Sequence, residues 1–339
     1  MRRRNRLTVT LSIVAVFLLL AVAALYLRKK APPEAARLLP ESDGIIYIDL
    51  RPLRTATRFD RHPVQHDADY QKFIDATGIQ PERDLDEAAF SLHRMANPKG
   101  PNGPVAFSEV FVGHFDGRRV SSWLQSQAAS TEEYAGHDIY NITNEGRTVR
   151  VALLGYDMIA VSNTPSAEQI HSILDRYRTA ALPFTGSTLL ARHYVDVPLL
   201  SLAWGIGQIG LPLGDSDGRV NVMGLSLPLP QDATFVASLS WAGKTRLRVE
   251  EIASSDADAK AAVDSIGSLL SLARTVADNP GTASDPSEAA IAGDTKALLD
   301  SAHVDQHHNR AVLTAAVPDD LLQRLVAAPA GFGKSSGAR

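Results

Sequence analysis

Four groups of residues have the types and spacing to do chemistry. His303, Asp305, His307 and His308 supply imidazole and carboxylate ligands. Histidines at i and i+4 share one face of a helix and would suit zinc. Here, however, the stretch runs into Arg310 and the alternating Ala311–Val317, which predicts a strand, with His308-Asn309 as the hairpin turn before it. On a strand the two imidazoles stand much farther apart, and no glutamate occupies the zincin position. His62, His66, Asp67 and Asp69 form a second set, but Pro63 interrupts any helix through it, so a solvated loop is expected. Gly205-Ile206-Gly207-Gln208-Ile209-Gly210 matches G-x-G-x-x-G. A dinucleotide site needs the third glycine to open a helix and an acid about 20 residues on. Pro212 opposes the helix and Met223–Leu227 contains no acid, so a glycine-rich loop is expected. Gly331-Phe332-Gly333-Lys334-Ser335 is a fragment of a phosphate loop with Ala328 in place of its first glycine, and too few residues follow for the helix it requires.

Hydrolysis through a serine needs an exposed hydroxyl, a base and an orienting acid. No G-x-S-x-G elbow occurs, which leaves His114, His137 and His171 as bases that a serine could meet in space. Asn141-Ile142-Thr143 is a glycosylation acceptor pattern in a secretory setting. Without cysteine there is no disulfide, thiolate metal site or cysteine nucleophile. The expectation is a chain with no catalytic, cofactor-binding or metal site.

The elements that would position such groups are legible. Turn residues ending at Gly44 lead into the β-branched run Ile45–Leu50, a first strand. Tyr70–Ala76 suggests a short helix, Asp86–His93 and Val110–Phe115 strands, and Asp116 the N-cap of a helix carrying Val120, Trp123 and Leu124. Val149, Val151 and Leu153 alternate with Thr148, Arg150 and Ala152, and Gly155-Tyr156-Asp157 turns that strand into Met158–Val161. Thr164-Pro165 would open a helix with the stripe Ile170, Ile173, Leu174 and Tyr177.

Thr234–Trp241 and Thr245–Ile252 predict two more strands. Ser255–Asp258 resembles a capping box, and Val263, Ile266, Leu269, Leu270 and Val276 follow at helical spacing until Asp278-Asn279-Pro280-Gly281. Leu321, Leu322, Leu325 and Val326 suggest a last amphipathic helix. The pattern is α+β: antiparallel sheets with helices on one face, in two ferredoxin-like modules at 38–185 and 186–327, with a disordered tail at 328–339.

Charge is distributed unevenly. Residues 1–30 hold seven of the 34 basic residues and no acid, leaving 27 basic against 38 acidic residues, a net of −11 for the rest. Such a body offers no concentrated basic surface for nucleic acid. The basic residues instead flank Leu7–Leu27, an apolar run of 21 residues. As a helix it spans roughly 31 Å, the thickness of a bilayer's hydrocarbon core. Ala21-Val22-Ala23 fits a signal-peptide cleavage pattern, but the run continues past it into Arg28-Lys29-Lys30, which suits an uncleaved anchor. Residues 1–6 would be a cytoplasmic tail and 28–37 a linker.

This anchor, the Leu39-Pro40-Glu41 lead into the first strand, and the segment Thr77-Gly78-Ile79-Gln80-Pro81-Glu82-Arg83-Asp84-Leu85-Asp86 together resemble a type of bacterial envelope protein with an amino-terminal anchor and paired α+β modules. The resemblance implies a single-pass protein of the cytoplasmic membrane with its body in the periplasm or outside the cell, and brings no catalytic residues with it. The expected function is non-enzymatic interaction or envelope assembly with a protein partner. An anchored hydrolase and a lipid- or small-ligand-binding module are the alternatives.

Overall fold

The computed structural model describes residues 31–57, 68–144, 146–179, 186–208, 219–222, 225–228, 233–241, 243–278 and 286–321. Leu7–Leu27 lies outside them, as do His62, His66, Asp67, the tail and most of the last expected helix. Among the described residues no helix is long and apolar enough to cross a membrane.

The strands are β1 (Gly44–Asp49), β2 (Leu85–Arg94), β3 (Val105–Gly113), β4 (Ser130–Tyr134), β5 (His137–Asn144), β6 (Arg147–Leu154), β7 (Met158–Ser162), β8 (Ser201–Gln208), β9 (Arg219–Val222), β10 (Leu225–Pro228), β11 (Thr234–Trp241), β12 (Thr245–Ile252), β13 (His303–His307) and β14 (Arg310–Val317). The helices are α1 (Glu34–Leu38), α2 (Leu50–Thr57), α3 (Ala68–Thr77), α4 (Pro81–Asp84), α5 (Gly117–Gln127), α6 (Glu168–Arg178), α7 (Thr188–His193), α8 (Asp256–Asp278) and α9 (Pro286–Ser301). Twelve strands form one sheet in the order β13-β14-β12-β11-β8-β1-β2-β3-β7-β6-β5-β4, and β9 and β10 pair separately. The architecture is α+β. Strands before residue 180 lie on one side of the β1–β8 ladder and strands after residue 200 on the other.

Two expectations about this layout are corrected. Two ferredoxin-like modules would each hold a sheet of their own. Every pairing in this twelve-stranded sheet is antiparallel, and the sheet runs unbroken between the two halves. Nor do the helices keep to one face. Leu38 of α1, Ile170, Ile173 and Leu174 of α6 and Leu190 of α7 bury one face of the sheet against Ile45, Tyr47, Val110, Leu154, Trp204 and Ile206. On the reverse face Phe73 of α3 and Val120, Trp123 and Leu124 of α5 cover Tyr140, Val151 and Ile159. The strands of the first half are apolar on both sides, so each side demands its own cover.

Local signals account for several element ends. Asp116 accepts from the backbone N–H groups of Arg118 and Arg119, at 3.1 and 3.2 Å. Ser255 Oγ accepts from Asp258 N–H at 3.1 Å and donates to the Asp258 carboxylate at 2.8 Å, and so caps the start of α8. The β6–β7 hairpin turns at Gly155 with φ +65°, a conformation that favours glycine. The helix expected from Thr164 begins later, at Glu168, because the Thr164 hydroxyl is taken by the Ser166 carbonyl at 3.0 Å and by Ser162 at 2.9 Å. The G-x-G-x-x-G stretch is not a loop: Gly205 and Gly207 sit inside β8, and Gly210 lies outside the described residues.

Candidate functional site

The register places one row of side chains straight across the reverse face of all twelve strands. From one edge to the other it reads Thr131, Tyr140, Val151, Val161, Glu109, Phe90, Ile46, Gly205, Ala237, Val249, Leu313, Val304. Glu109 is its only charged member. It stands between Phe90 of β2 and Val161 of β7, with Phe107 and Phe111 two positions away on its own strand and on the same face. The rings of Phe90 and Phe111 meet edge to face, with centroids 5.8 Å apart at 84°.

Burial among these apolar groups, with no compensating charge or hydrogen bond, pushes the Glu109 carboxyl from its ordinary 4.5 to about 7. It has no hydrogen-bond or ion-pair partner among the described residues. Toward the middle of the sheet the row falls to Gly205 and Ala237, so its floor is low beside Ile46. Helices α3 and α5 rise on one side, over β5–β7. On the other side α8 rises over β13, where a Cβ on Gly267 would lie 3.8 Å from Val304. The result is an apolar trough with Glu109 near one end; Glu251, two positions from Val249 on the same face of β12, is a second buried carboxyl beside it, also raised by burial.

Directly behind Glu109, on the α1 face, the same strands carry a chain of hydroxyls and one imidazole. His93 Nε2 lies 3.2 Å from Ser91 Oγ and 3.0 Å from Ser108 Oγ. Ser108 Oγ is 3.2 Å from Ser162 Oγ, which is 2.9 Å from Thr164 Oγ1. A serine beside a histidine is the beginning of a nucleophile–base pair. Ser91, Ser108 and Ser162 are each 0% exposed, so no substrate carbonyl reaches them. Burial also holds the His93 imidazole below its usual range. This network satisfies polar groups inside the core.

The histidines raised by the sequence lie elsewhere. His114 is exposed beside Asp86, 3.7 Å away. His137 Nδ1 donates to the Leu153 carbonyl at 3.0 Å. His171 stacks on Tyr134 at 3.9 Å and bonds Glu132 at 2.6 Å, at the rim of an open depression on α6. Among the described residues none of the three bonds a serine. Asn141 lies in β5 with its amide nitrogen 3.2 Å from Ser130 Oγ. His303 and His307 fall on β13 and His308 in the turn that follows, and no group of three or more metal-ligating side chains converges among the described residues.

Sequence reasoning passed over Glu109 and His93. The available signal for Glu109 was Phe107-Ser108-Glu109-Val110-Phe111, an acid flanked at both i±2 positions by phenylalanine, which on a strand puts all three on one face. Its cross-strand neighbour Phe90 lies 19 positions earlier in the chain, and only the register supplies it.

No family model and no curated protein matches the chain. Among solved structures, crystal form III of TP0453 is similar at 13% identity and a TM-score of 0.46, over 87% of this chain and 98% of that one. Form IV gives 13% and 0.46 over 86% and 96%, and form I gives 11% and 0.42 over 88% and 98%. The likeness is distant, and the site is read from its own residues.

Proposed function

We propose that the chain is a non-enzymatic binding module, tethered to a membrane by Leu7–Leu27 with its body on the far side from the cytoplasm. In this reading it takes up an amphiphile with an amine head group along the reverse face of the sheet. The observation that carries it is the Glu109 carboxyl, the one charge in its row, set among phenylalanines without a partner among the described residues. An unpaired acid among phenylalanines costs folding energy, and a bound cation would recover it. Aliphatic chain would lie along Ile46, Gly205 and Ala237, and the ammonium would meet Glu109 and the faces of Phe90 and Phe111. Hydrolysis is the weaker reading, because the Ser–His arrangement on these strands is sealed.

The test uses the full chain in lipid nanodiscs, titrated calorimetrically with n-octylamine and, separately, with n-octanol. Saturable octylamine binding absent from empty nanodiscs is expected, about tenfold weaker in Glu109→Gln, with octanol indifferent to that change. Heats identical to those of empty nanodiscs would end the proposal.

A further inference from the structure

Strand β13 is the last strand of the sheet among the described residues, and its free edge is self-complementary. Ala253 N–H donates to the Asn309 carbonyl at 2.9 Å, which assigns the backbone groups of Ala311 and Leu313 to β12 and those of Arg310, Val312 and Thr314 to β13. The partners of the latter three are His307, Asp305 and His303. Val304 and Gln306 therefore turn their N–H and C=O groups outward, without a partner among the described residues.

His303, Asp305 and His307 alternate on the α1 face and are exposed. Within one chain His303 and His307 are roughly 13 Å apart along the strand and cannot share an ion. Yet His303 Nε2, which bonds the Thr314 hydroxyl at 2.7 Å and would exchange it for the metal, lies 3.7 Å from Asp305 Oδ2, near the separation of two ligands on one zinc.

We propose that β13 pairs antiparallel with the β13 of a second copy about a two-fold axis at Asp305, and that two zinc ions close the pairing. This register joins Val304 to Gln306 of the other copy through the outward backbone groups. It sets His303 opposite His307 of the other copy as a close, non-hydrogen-bonded pair, with Cα atoms about 4.5 Å apart. Each zinc takes one His303, the His307 opposite it and one Asp305, with water in the fourth position. The two Asp305 carboxylates face each other at the axis and repel, so the edge stays open without metal. The same axis places both α8 helices, with exposed Leu272 and Val276, on one side of the joined sheet.

The experiment measures the protein mass of the full chain in detergent micelles by light scattering, with zinc chloride titrated in and then removed by chelator. Expected is a doubling of mass at about one zinc per chain, reversed by the chelator. Doubling is lost in His303→Asn and in His307→Asn and kept in His308→Asn, whose side chain lies in the turn. Zinc binding without doubling, doubling that survives both variants, or no zinc binding would each overturn the inference.

Discussion

Gly207 and Gly44 face one another across the β1–β8 ladder so closely that a Cβ on Gly207 would lie 2.6 Å from the Gly44 Cα and 2.7 Å from the Asp43 carbonyl oxygen. The ladder joining the two halves of the sheet is thus packed backbone against backbone. The atoms in the way are main chain, which cannot rotate aside. Gly207→Ala is expected to cost about 3 kcal/mol, the upper end for overpacking. A urea titration followed separately by Trp123 and Trp204 fluorescence, using variants that retain only that one of the chain's three tryptophans, is the check. Superimposable transitions with an unchanged midpoint would show that the ladder has slack.

Glu109 gives stability a pH dependence of predictable sign. Its folded-state value is raised, so its contribution is complete below pH 4.5 and is lost as pH rises toward about 7. The loss amounts to about 3 kcal/mol, at roughly 1.4 kcal/mol for each pH unit separating the folded and unfolded values. Urea midpoints of the native chain are expected to fall between pH 5 and pH 7.5, and those of Glu109→Gln to stay closer to level. Parallel curves for the two proteins would mean that the carboxyl is solvated.

Ser108 sits on the opposite side of the same strand, where its hydroxyl serves both His93 and Ser162. Ser108→Ala leaves each with its other partner, so a loss of about 1–2 kcal/mol is expected by chemical denaturation. Octylamine binding should be unchanged. If binding fell as far as in Glu109→Gln, the two faces would not be independent.

Leu200 holds φ at +68° while 66% exposed, beside the exposed Trp241 at the end of the neighbouring strand. The left-handed region costs a non-glycine residue about 1–2 kcal/mol. Leu200→Gly should therefore stabilise by about 0.5–1 kcal/mol after the added freedom of the unfolded chain is subtracted. Differential scanning calorimetry reads this as a higher Tm. A lower Tm would show that the leucine side chain contributes packing.

The sequence was most informative where a signal is local. Asp116, Ser255 and the 155–157 turn need only their neighbours, and each sits where its chemistry places it. Helix α9 went unpredicted because Ala289, Ala290, Ala292 and Ala297 give it no apolar stripe against a polar face. The glycines of β8 suggested a loop because the reason for them is the backbone of β1, which lies about 160 positions away in sequence. Glu109 was illegible for a similar reason: half of its apolar surroundings come from β2 and β7. The single continuous sheet depends on one long-range pairing, β1 with β8, which no periodicity announces.

That pairing also orders events during synthesis. β1 is among the first described strands to leave the ribosome and finds β2 soon afterwards, but its other side waits for β8, about 150 residues later. At about 5–20 residues per second, the nascent first half carries an unsatisfied backbone edge for roughly 10–30 seconds. That edge is the interior ladder of the finished protein, rich in isoleucine, and its single charge, Asp49, sits at the strand's end rather than along the edge where a true sheet margin is protected. A ribosome stalled before Ser201 would therefore leave a fragment whose most adhesive strand is the one the complete chain hides.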